Sequence, residues 1–425
     1  MPKPPMEESD DAASHREMMV RDMLALVLVS GVGPVTIRKL LDEFGTASAA
    51  IRAGESRLKS VDNVGPKLAE KIARALDNSD IDKEIAMCND HQVAIMLQSD
   101  ENFPECLLEM PDCPAMLFVK GRIEPIDRLA VAVVGSRRST QYGRRMADKL
   151  ATSLARSGMT VVSGLARGID EAAHRGALNG GGRTLAVLAN GLSQIYPPEM
   201  VPLANEIIKQ GAIISEMPMG HPPLAELFIR RNRIISGLSL GVVVVEAAIR
   251  SGSLSTARHA MEQNRDVFAV PGPADSITSQ GCHRLIRDGA KLVETVDDII
   301  EELKPQVKHL MGDVQEAQQL RLFELEESGP ETPVKPVGLN ETNPPAATSA
   351  KKTEKLESTK RVSPAVASLG PEELALYELI GDEATGADEL IHKSALPPGR
   401  VLALLSLMEM RRVVKRTPGP SFSRY

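Results

Sequence analysis

Between residues 96 and 303 short apolar runs alternate with amphipathic stretches, and this alternation restricts the possible folds more than any other feature. The runs are LAVAVVG (Leu129 to Gly135), MTVVSG (Met159 to Gly164), TLAVLANG (Thr184 to Gly191), GAIISEMP (Gly211 to Pro218), LGVVVVEA (Leu240 to Ala247) and DVFAVPG (Asp266 to Gly272). Continuous apolarity is typical of strands covered on both faces, and the helical stretches supply parallel crossovers. The pattern predicts an α/β domain over residues 91–304 with a doubly wound parallel sheet.

The N-terminal region contains an internal repeat. Residues 1–20 lack periodicity and are predicted to be disordered. Within residues 21–90, VSGVGPVTIRKL (Val29 to Leu40) and VDNVGPKLAEKI (Val61 to Ile72) align without gaps and share Val-Gly-Pro. Because proline opens helices and the glycine before it permits a tight turn, each copy is predicted to be a helix–hairpin–helix in a small all-α domain.

The hairpins have two possible roles. Free amides at the start of a helix suit a phosphate. The cations that favour DNA binding are Arg38, Lys39, Lys67 and Lys71, whereas Asp62 and Glu70 oppose it. A surface for packing or protein interaction is an equally open interpretation.

The C-terminal part consists of a linker and a further module. Residues 328–367 are rich in Pro, Thr, Lys and Glu, and residues 305–367 are predicted to be a flexible linker. In residues 368–425, three helical segments precede a strand with a Pro-Gly turn, which predicts a winged helix. The final residues are basic (Arg411, Arg412, Lys415, Arg416 and Arg424), but the preceding helices are acidic, so DNA contact and protein docking both remain open.

Composition limits the class of protein. Of the 425 residues 42% are hydrophobic, which is ordinary for a soluble globular chain, and the net charge of −7 by itself argues against a nucleic-acid partner. The sequence lacks a membrane-length apolar run, and its acidic start does not resemble a signal peptide. We therefore expect a cytoplasmic protein without membrane association.

Cysteines and histidines show no metal-binding spacing. The four cysteines form no CxxC pair, so we expect them to be reduced and mostly buried. His174, His221, His259 and His283 likewise lack metal-ligand spacing, and neither a metal nor a cofactor is predicted.

The strand ends predict a ligand crevice. Ligands of open parallel sheets bind at the carboxyl ends of strands, so Gly135-Ser136-Arg137, Ser163-Gly164, Asn190-Gly191 and Glu246 are expected to converge there. GSRRS lacks the GxGxxG spacing, and in the second turn Gly164 and Gly168 are four apart with Asp170 placed to cap a helix. A dinucleotide cofactor is therefore not expected.

The segment FIRRNRIISGLS carries the densest basic cluster. Arg230, Arg231 and Arg233 surround Asn232, and Phe228 stands just before them. Guanidinium groups grip phosphates and stack on bases, an aromatic ring offers a stacking platform, and an asparagine can bind a base edge. A merely solvated helix face is less attractive because the cluster immediately precedes a buried strand, so we predict a site for single-stranded nucleic acid.

The segment EAAIRSGSLSTARHA places small donors before a helix. These are Ser251, Gly252, Ser253 and Thr256, an arrangement that favours a phosphate. Glu246 is a carboxylate at a predicted anion site. It could orient Arg231 or Arg233, or accept a hydrogen bond from a ribose hydroxyl or a base edge.

Taken in order, GSR, SGLARGIDEAAH, LAVLANGL with YP, SEMP, RNRIISGLS, VVVEA, SGSLSTA, VFAVPG and GCHRLIRDGA closely resemble the DNA-processing protein A (DprA or Smf) family over roughly residues 96–300. The flanking hairpin and winged-helix regions fit the longer members. Cys282 departs from the family's usual asparagine, which puts a hydrogen bond at that position in doubt.

The resemblance implies an extended Rossmann-like core that binds single-stranded DNA, forms a homodimer, protects incoming DNA and loads the RecA recombinase during natural transformation or recombination. It implies no enzymatic activity. Carried over by motif, the DNA-binding candidates are Ser136, Arg137, Gly164, Gly168, Phe228, Arg231, Asn232, Arg233, Ser251, Gly252 and Thr256.

A nucleotide-cleaving enzyme is the main alternative. Lysine-decarboxylase-like phosphoribohydrolases share a Rossmann core and use a PGGxGTxxE turn with a catalytic glutamate. Here Thr256 is followed by Ala257, Arg258, His259 and Ala260, so the required acid is absent. A purely structural interaction hub leaves the arginine cluster unexplained.

Overall fold

The computed structural model describes residues 6–308, 310, 371–380, 385–394, 401, 404–405, 408, 413–417 and 421–424. By its contacts the chain divides into two compact units, Met1–Pro330 and Glu331–Tyr425. None of the described helices is long and apolar enough to cross a membrane.

The first unit begins with a run of helices, α1 to α6, before its first strand. Its helices are α1 (Met6–Val27), α2 (Pro34–Phe44), α3 (Ala47–Arg52), α4 (Glu55–Leu58), α5 (Pro66–Ala73), α6 (Asp80–Asp90), α7 (Glu105–Leu108), α8 (Gln141–Arg156), α9 (Ile169–Asn179), α10 (Val201–Gln210), α11 (Ala225–Gly237), α12 (Ser253–Glu262), α13 (Gln280–Arg287) and α14 (296–308). Its strands are β1 (Ala94–Leu97), β2 (Met116–Gly121), β3 (Ala130–Val134), β4 (Thr160–Ser163), β5 (Thr184–Val187), β6 (Gly211–Ser215), β7 (Gly241–Val244), β8 (Asp266–Ala269) and β9 (Lys291–Leu292).

The strands form one nine-stranded sheet in the order β1-β2-β6-β5-β4-β3-β7-β8-β9. The predicted apolar runs supply β3 to β8, which pair in parallel and confirm the α/β fold. The sheet is mixed, because β2 pairs antiparallel with β6 and with β1, an extension that the sequence did not predict. The connections diverge between β3 and β7, which defines a topological switch point at their carboxyl ends.

Apolar side chains fill both faces of the central strands. In β3, Val131 and Val133 face the helices α8 and α9, whereas Ala130, Ala132 and Val134 face the side that contains α11 and α12. This two-sided burial explains why the strands are apolar throughout. It also fixes the loops after β3 and β7, because the strands that carry them are held between two layers of helices.

The N-terminal helices do not form a separate domain. Helix α1 begins at Met6, so the prediction that residues 1–20 are disordered is wrong for residues 6–20. Leu24, Leu40 and Ile72 share a hydrophobic core with Met116 and Leu203 of the α/β region. Continuous apolar contact therefore joins the predicted domains 21–90 and 91–304 into one unit.

The two predicted hairpins are present, and their cations serve mainly to pack the chain. Gly33 and Gly65 each precede the proline that begins a helix, as the repeat predicts. Three of the four cations have intramolecular partners: Arg38 donates to the Met110 carbonyl (2.8 Å), Lys39 lies 3.5 Å from Asp62, and Lys71 lies 3.5 Å from the Ser30 carbonyl. These contacts favour the packing interpretation.

The linker begins later than predicted. Helix α14 continues through residue 308, and Val307 and Leu310 pack against the core of the first unit. The predicted start of the linker at residue 305 is therefore wrong, because these apolar side chains are part of the packed unit. The rest of the predicted linker, residues 311–367, lies outside the described residues.

The described part of the second unit contains two of the three predicted helices and the predicted pair of strands, whereas most of the third helical segment, Arg411 and Arg412 lie outside the described residues. It contains α15 (Pro371–Leu379), α16 (Ala387–Ser394) and a sheet of β10 (Thr385–Gly386), β12 (Ser421–Arg424) and β11 (Val414–Thr417). Arg424, predicted as part of a basic wing, donates instead to the Tyr377 carbonyl (3.1 Å) and covers the Tyr377 ring. It neutralises the end of α15 and is not a free cation.

Candidate nucleic-acid interface

A cavity of roughly 500 Å³ lies at the carboxyl ends of β3 and β7, at the switch point of the sheet. Four segments form its wall: the loop after β3, the turn after β4 with the start of α9, helix α11, and the loop that leads from β7 into α12. The predicted DNA-binding residues on this wall are Ser136, Arg137, Phe228, Arg231, Asn232, Ser251, Gly252 and Thr256. Segments far apart in sequence thus meet where the strand ends predicted a crevice.

The mouth of the cavity is cationic. Arg137, Arg138 and Arg250 line it and are exposed, and none of them forms an ion pair with any residue that the structure describes. Arg138 and Arg250 were not predicted, although each directly adjoins a predicted residue in GSRRS and AAIRSGS. Their uncompensated charge suits a polyanion, despite the net negative charge of the whole chain.

Arg137 stacks on an aromatic ring. Its guanidinium lies 4.6 Å from the centre of the Phe228 ring, and the Tyr196 ring meets Phe228 edge-on at 5.9 Å. Phe228 is half-buried in the wall and Arg137 is exposed above it. The pair presents a flat surface on which a base can stack and a positive charge that attracts a phosphate. Both contacts are typical of proteins that bind single strands.

Arg231 lies in the floor of the cavity and holds the fold together. It is 5% exposed, and its Nη1 donates to the carbonyl oxygens of Gly164 (2.9 Å) and Val187. Burial lowers its pKa to about 10, so the guanidinium stays charged at neutral pH. Because its Nη1 donates to these two carbonyls and its Nε donates to the Asn232 side chain (3.3 Å), Arg231 joins α11 to the ends of β4 and β5 and is not the freely placed phosphate ligand that we predicted.

The glycine turn after β4 is occupied by the chain itself. A Cβ on Gly164 would lie 2.6 Å from the Arg231 guanidinium, and one on Gly168 (φ +84°) would lie 2.4 Å from the Ser136 carbonyl oxygen. Neither glycine lines the cavity wall. Both allow close packing within the protein, which replaces their predicted role in letting a DNA backbone approach.

Asp170 does not cap helix α9, contrary to the prediction. The residue before α9 is Gly168, and no side chain caps the helix there. The buried Asp170 carboxylate accepts from the Ala166 amide (3.4 Å) and interacts with Arg231. Burial raises its pKa, and the positive charge of Arg231 opposes that rise. The turn after β4 therefore already contains a buried carboxyl group that interacts with an arginine.

Two residues of the RRNR cluster have structural roles. Asn232 donates its side-chain amide to the Gly252 carbonyl (3.2 Å), which ties α11 to the start of α12, so this donor is already used. Arg233 is buried away from the cavity, where it pairs with Asp112 (3.2 Å) and Glu216. Its predicted DNA contact is therefore wrong, since a side chain pointing into the core does not reach a strand.

Glu246 serves to position the loop after β3. Its carboxylate accepts from the Thr140 amide (2.8 Å) and the Thr140 hydroxyl (2.5 Å). It contacts neither Arg231 nor Arg233, and it is absent from the cavity wall. Both predicted roles are thus replaced by anchoring of the start of α8.

Two further strand ends expected at the crevice lie away from it. The Ser163 hydroxyl donates to the Val133 carbonyl (2.7 Å), and the Asn190 amide donates to the Gln194 carbonyl (2.6 Å). Both side chains stabilise their own surroundings. Of the predicted strand ends, those of β3 and β7 build the cavity, because they flank the switch point.

The start of α12 has an open place for an anion. Gly252 precedes the helix without a side-chain cap, and the hydroxyls of Ser251 and Ser253 lie 2.8 Å apart on the cavity wall. Thr256 lines the cavity and is 1% exposed, and its hydroxyl has no hydrogen-bond partner among the described residues. The Leu254 and Ser255 amides donate to the carbonyls of Ser251 and Gly252, so the unused Thr256 hydroxyl and the positive end of the helix are the features that suit a phosphate.

The fold and its cationic crevice define an α/β protein with a site that suits a nucleic acid. A family model described as DNA recombination-mediator protein A matches residues 94–304. Models of the DprA winged-helix domain and of a SAM-like helix-hairpin-helix tandem match residues 360–420 and 23–78.

Known relatives identify the particular family. Protein Smf of Synechocystis is 33% identical over 410 residues, covering 94% of this chain and 98% of the relative. Protein Smf of Escherichia coli is 51% identical over 205 residues, covering 48% of this chain and 55% of the relative. The X-ray structure of DprA from Streptococcus pneumoniae superposes with a TM-score of 0.60 at 35% identity, covering 66% of this chain and 97% of that one. The chain belongs to the DprA/Smf family.

The cysteines agree with the expectation. All four are free; Cys88, Cys113 and Cys282 are buried, and Cys106 is half-buried. Cys282 donates its thiol weakly to the Val244 carbonyl (3.5 Å), so the side chain at this position makes a polar contact. Burial raises the Cys282 pKa to about 12, and the thiol stays protonated at neutral pH.

Proposed function

We propose that this chain binds single-stranded DNA in the crevice at the ends of β3 and β7 and delivers it to a RecA-type recombinase. The stacked pair of Arg137 and Phe228 carries the proposal, because it offers charge and an aromatic face at the mouth of the cavity. Arg138 and Arg250 extend the same positive surface. The family description as a recombination mediator supports the recombinase as recipient, and a homodimer is part of the same proposal.

A mediator fits the cavity better than a hydrolase. The phosphoribohydrolase turn needs a glutamate after the conserved threonine, and here buried Ala257 and Ala260 and exposed Arg258 follow Thr256. Asp170 is the carboxylate on the cavity wall, and it accepts hydrogen bonds from the backbone of its own turn. The arrangement supports binding without cleavage.

The test is the affinity of the full chain for a fluorescent oligo(dT), measured by anisotropy across a salt series. We expect Arg137→Ala to weaken binding about tenfold and to reduce the slope of log K against log salt by about one, because one phosphate contact is lost. Arg156→Ala is the matched control, since Arg156 is an exposed arginine in the last turn of α8, at the opposite edge of the sheet.

Wild-type affinity in Arg137→Ala, or binding that does not depend on salt, would contradict the crevice model. Recombinase delivery is measured separately, as faster RecA assembly on oligonucleotides coated with a single-strand binding protein. An unchanged assembly rate despite tight DNA binding would restrict the function to DNA protection.

A further inference from the structure

A buried carboxylate of the N-terminal helices is hydrogen-bonded to the backbone of the α/β region. Glu84 lies on α6 and is 7% exposed, and its carboxylate accepts from the Met219 amide. The two residues are 135 positions apart in the chain. The Met219 side chain is completely buried in the core that the two regions share. Because a hydrogen bond to a buried carboxylate is strong and directional, this contact fixes the position of Met219.

Met219 is also the point where two segments that lead to the crevice meet. Its carbonyl oxygen accepts from the amide (3.2 Å) and the hydroxyl (2.6 Å) of Ser193, in the loop after β5. Close by, the Gly191 amide donates to the His221 carbonyl (2.9 Å). A Cβ on Gly191 would overlap the Pro218 and Met219 carbonyl oxygens. The loop after β5 and the segment after β6 are therefore held against each other in one arrangement.

Each of these two segments leads to an aromatic ring at the crevice. Tyr196 follows Ser193 in the loop after β5, and Phe228 lies in α11, which the chain enters after Met219. The two rings meet edge-on at 5.9 Å, and the Arg137 guanidinium lies 4.6 Å from the centre of the Phe228 ring. The hydrogen bonds at Met219 thus set the relative positions of the rings on which a base can stack.

A second cavity lies beside Glu84. It has a volume of roughly 630 Å³ and separates residues 27–34, around the first hairpin, from the segment after β6. Glu84 lines it together with Met217 and Pro218. On this side open space borders the segment, so few packing contacts there oppose a shift of its backbone. The position of the segment consequently depends strongly on the bond between Glu84 and Met219.

Resting on the function proposed above, we propose that Glu84 is a positioning residue for DNA binding: through Met219 it holds Tyr196 and Phe228 in the arrangement that accepts a base. Without Glu84 the buried Met219 amide would lose its acceptor, so the segment would rearrange to give the amide another partner. The N-terminal helices thereby contribute to DNA affinity without contact with the strand.

The test is the oligo(dT) affinity of the full chain, measured by fluorescence anisotropy. Glu84→Leu removes the acceptor and keeps a side chain of similar size, and we expect affinity to fall about fivefold because stacking on the rings is weakened. Glu84→Gln keeps an oxygen that accepts from the amide, and it is expected to bind within about twofold of the wild type. Asp82→Leu is the matched control with unchanged affinity, since Asp82 lies on the same helix and pairs with Arg21 (2.5 Å).

A double-variant cycle with Phe228→Ala separates positioning from a general effect on the fold. If Glu84 acts through the Phe228 ring, Glu84→Leu is expected to change affinity by less than about twofold once the ring is absent. The same loss with and without the Phe228 ring overturns the proposal. Wild-type affinity in Glu84→Leu also overturns it.

Ser193→Ala tests the same contact from the other segment if Glu84→Leu does not fold. The change removes the hydroxyl that donates to the Met219 carbonyl and leaves the hydrogen bond of the Ser193 amide in place. A loss of affinity of about threefold that disappears in the Phe228→Ala background supports the proposal. Unchanged affinity in Ser193→Ala contradicts it.

Hydrogen exchange keeps this proposal separate from the proposed function. If the unaltered chain does not bind oligo(dT), the proposed function is overturned, and exchange measured by mass spectrometry decides the positioning by itself. Faster exchange over residues 190–197 and 219–230 in Glu84→Leu or Ser193→Ala, but not in Asp82→Leu, supports it. Exchange equal to that of the wild type in these peptides overturns it.

Discussion

The turns after β4 and β7 have different roles. Each contains glycine, leads into a helix and was predicted to hold phosphate. In the first turn, Asp170 and Arg231 occupy the space that an anion and its counter-ion would take. In the second turn, the Thr256 hydroxyl lacks a partner among the described residues, and the helix start is open to the cavity.

The difference shows that a glycine turn does not by itself specify a ligand. The amides after β4 point toward a carboxylate from the same chain, and an arginine from α11 covers the glycine. The amides at α12 have no such internal anion. The occupant of a turn depends on side chains that arrive from other elements, and this can be tested in each turn separately.

The largest effect is expected from Arg231→Ala. The change leaves the Gly164 and Val187 carbonyls without a donor and the Asp170 carboxylate without its nearby cation. We expect the free energy of unfolding to fall by about 3–5 kcal/mol, the usual cost of breaking a buried charged contact. Urea denaturation followed by circular dichroism measures it.

Arg230→Ala is the control for that change. Arg230 is the preceding residue of α11, it is 40% exposed, and it pairs with Glu216 at 3.3 Å. A loss of about 1 kcal/mol or less is expected for such a pair. If both variants were equally stable, Arg231 would not have a structural role, and it would again be a candidate DNA ligand.

An intermediate effect is expected from adding a methyl group to each turn. In Gly164→Ala the new Cβ meets the Arg231 guanidinium at 2.6 Å, so we expect a loss of about 1–3 kcal/mol from overpacking. In Gly252→Ala nothing lies within 4 Å and φ is −61°, so stability should stay within about 0.5 kcal/mol. Thermal denaturation of both variants compares the turns, and equal losses would remove the distinction between them.

The smallest effect is expected from Thr256→Val, and it concerns binding alone. The variant keeps the shape of the side chain and removes its hydroxyl, so oligo(dT) affinity should fall about fivefold, equivalent to about 1 kcal/mol for one hydrogen bond. Stability should not change, because the hydroxyl has no partner among the described residues.

Thr152→Val is expected to show the opposite pattern. The Thr152 hydroxyl donates to the Gly176 carbonyl (2.9 Å) between α8 and α9, away from the cavity. Its loss should lower stability and leave oligo(dT) affinity unchanged. Weaker binding in both variants would indicate a general effect on the fold and would contradict an anion site at α12.

Most of the central fold follows from the sequence, because β3 to β8 must be apolar on both faces. Strands β1 and β2 were missed, since β1 has four residues with graded exposure and no clear alternation. The hairpin repeat predicted its helices correctly, but it did not predict that they share a hydrophobic core with the α/β region. Contacts such as Leu24 with the region around Met116 join segments far apart in the chain, and local patterns do not report them.

The sequence predicted the position of the candidate site more accurately than the roles of its individual residues. Glycine, arginine and serine at the strand ends placed Arg137, Ser251 and Thr256 on the cavity wall. The sequence did not distinguish the exposed Arg137 from the buried Arg231 and Arg233, since all three are arginines in short basic clusters.

The sequence by itself determined the parallel sheet, the hairpin and winged-helix modules and the edge of the sheet where the cavity lies, because periodicity and strand ends are local properties. The tertiary structure alone decided which charges stay free. A charge is paired or unpaired according to its neighbours in space, and Asp170 and Arg231 come together through α9 and α11. Their position fills one glycine turn and leaves the turn before Thr256 open to a ligand.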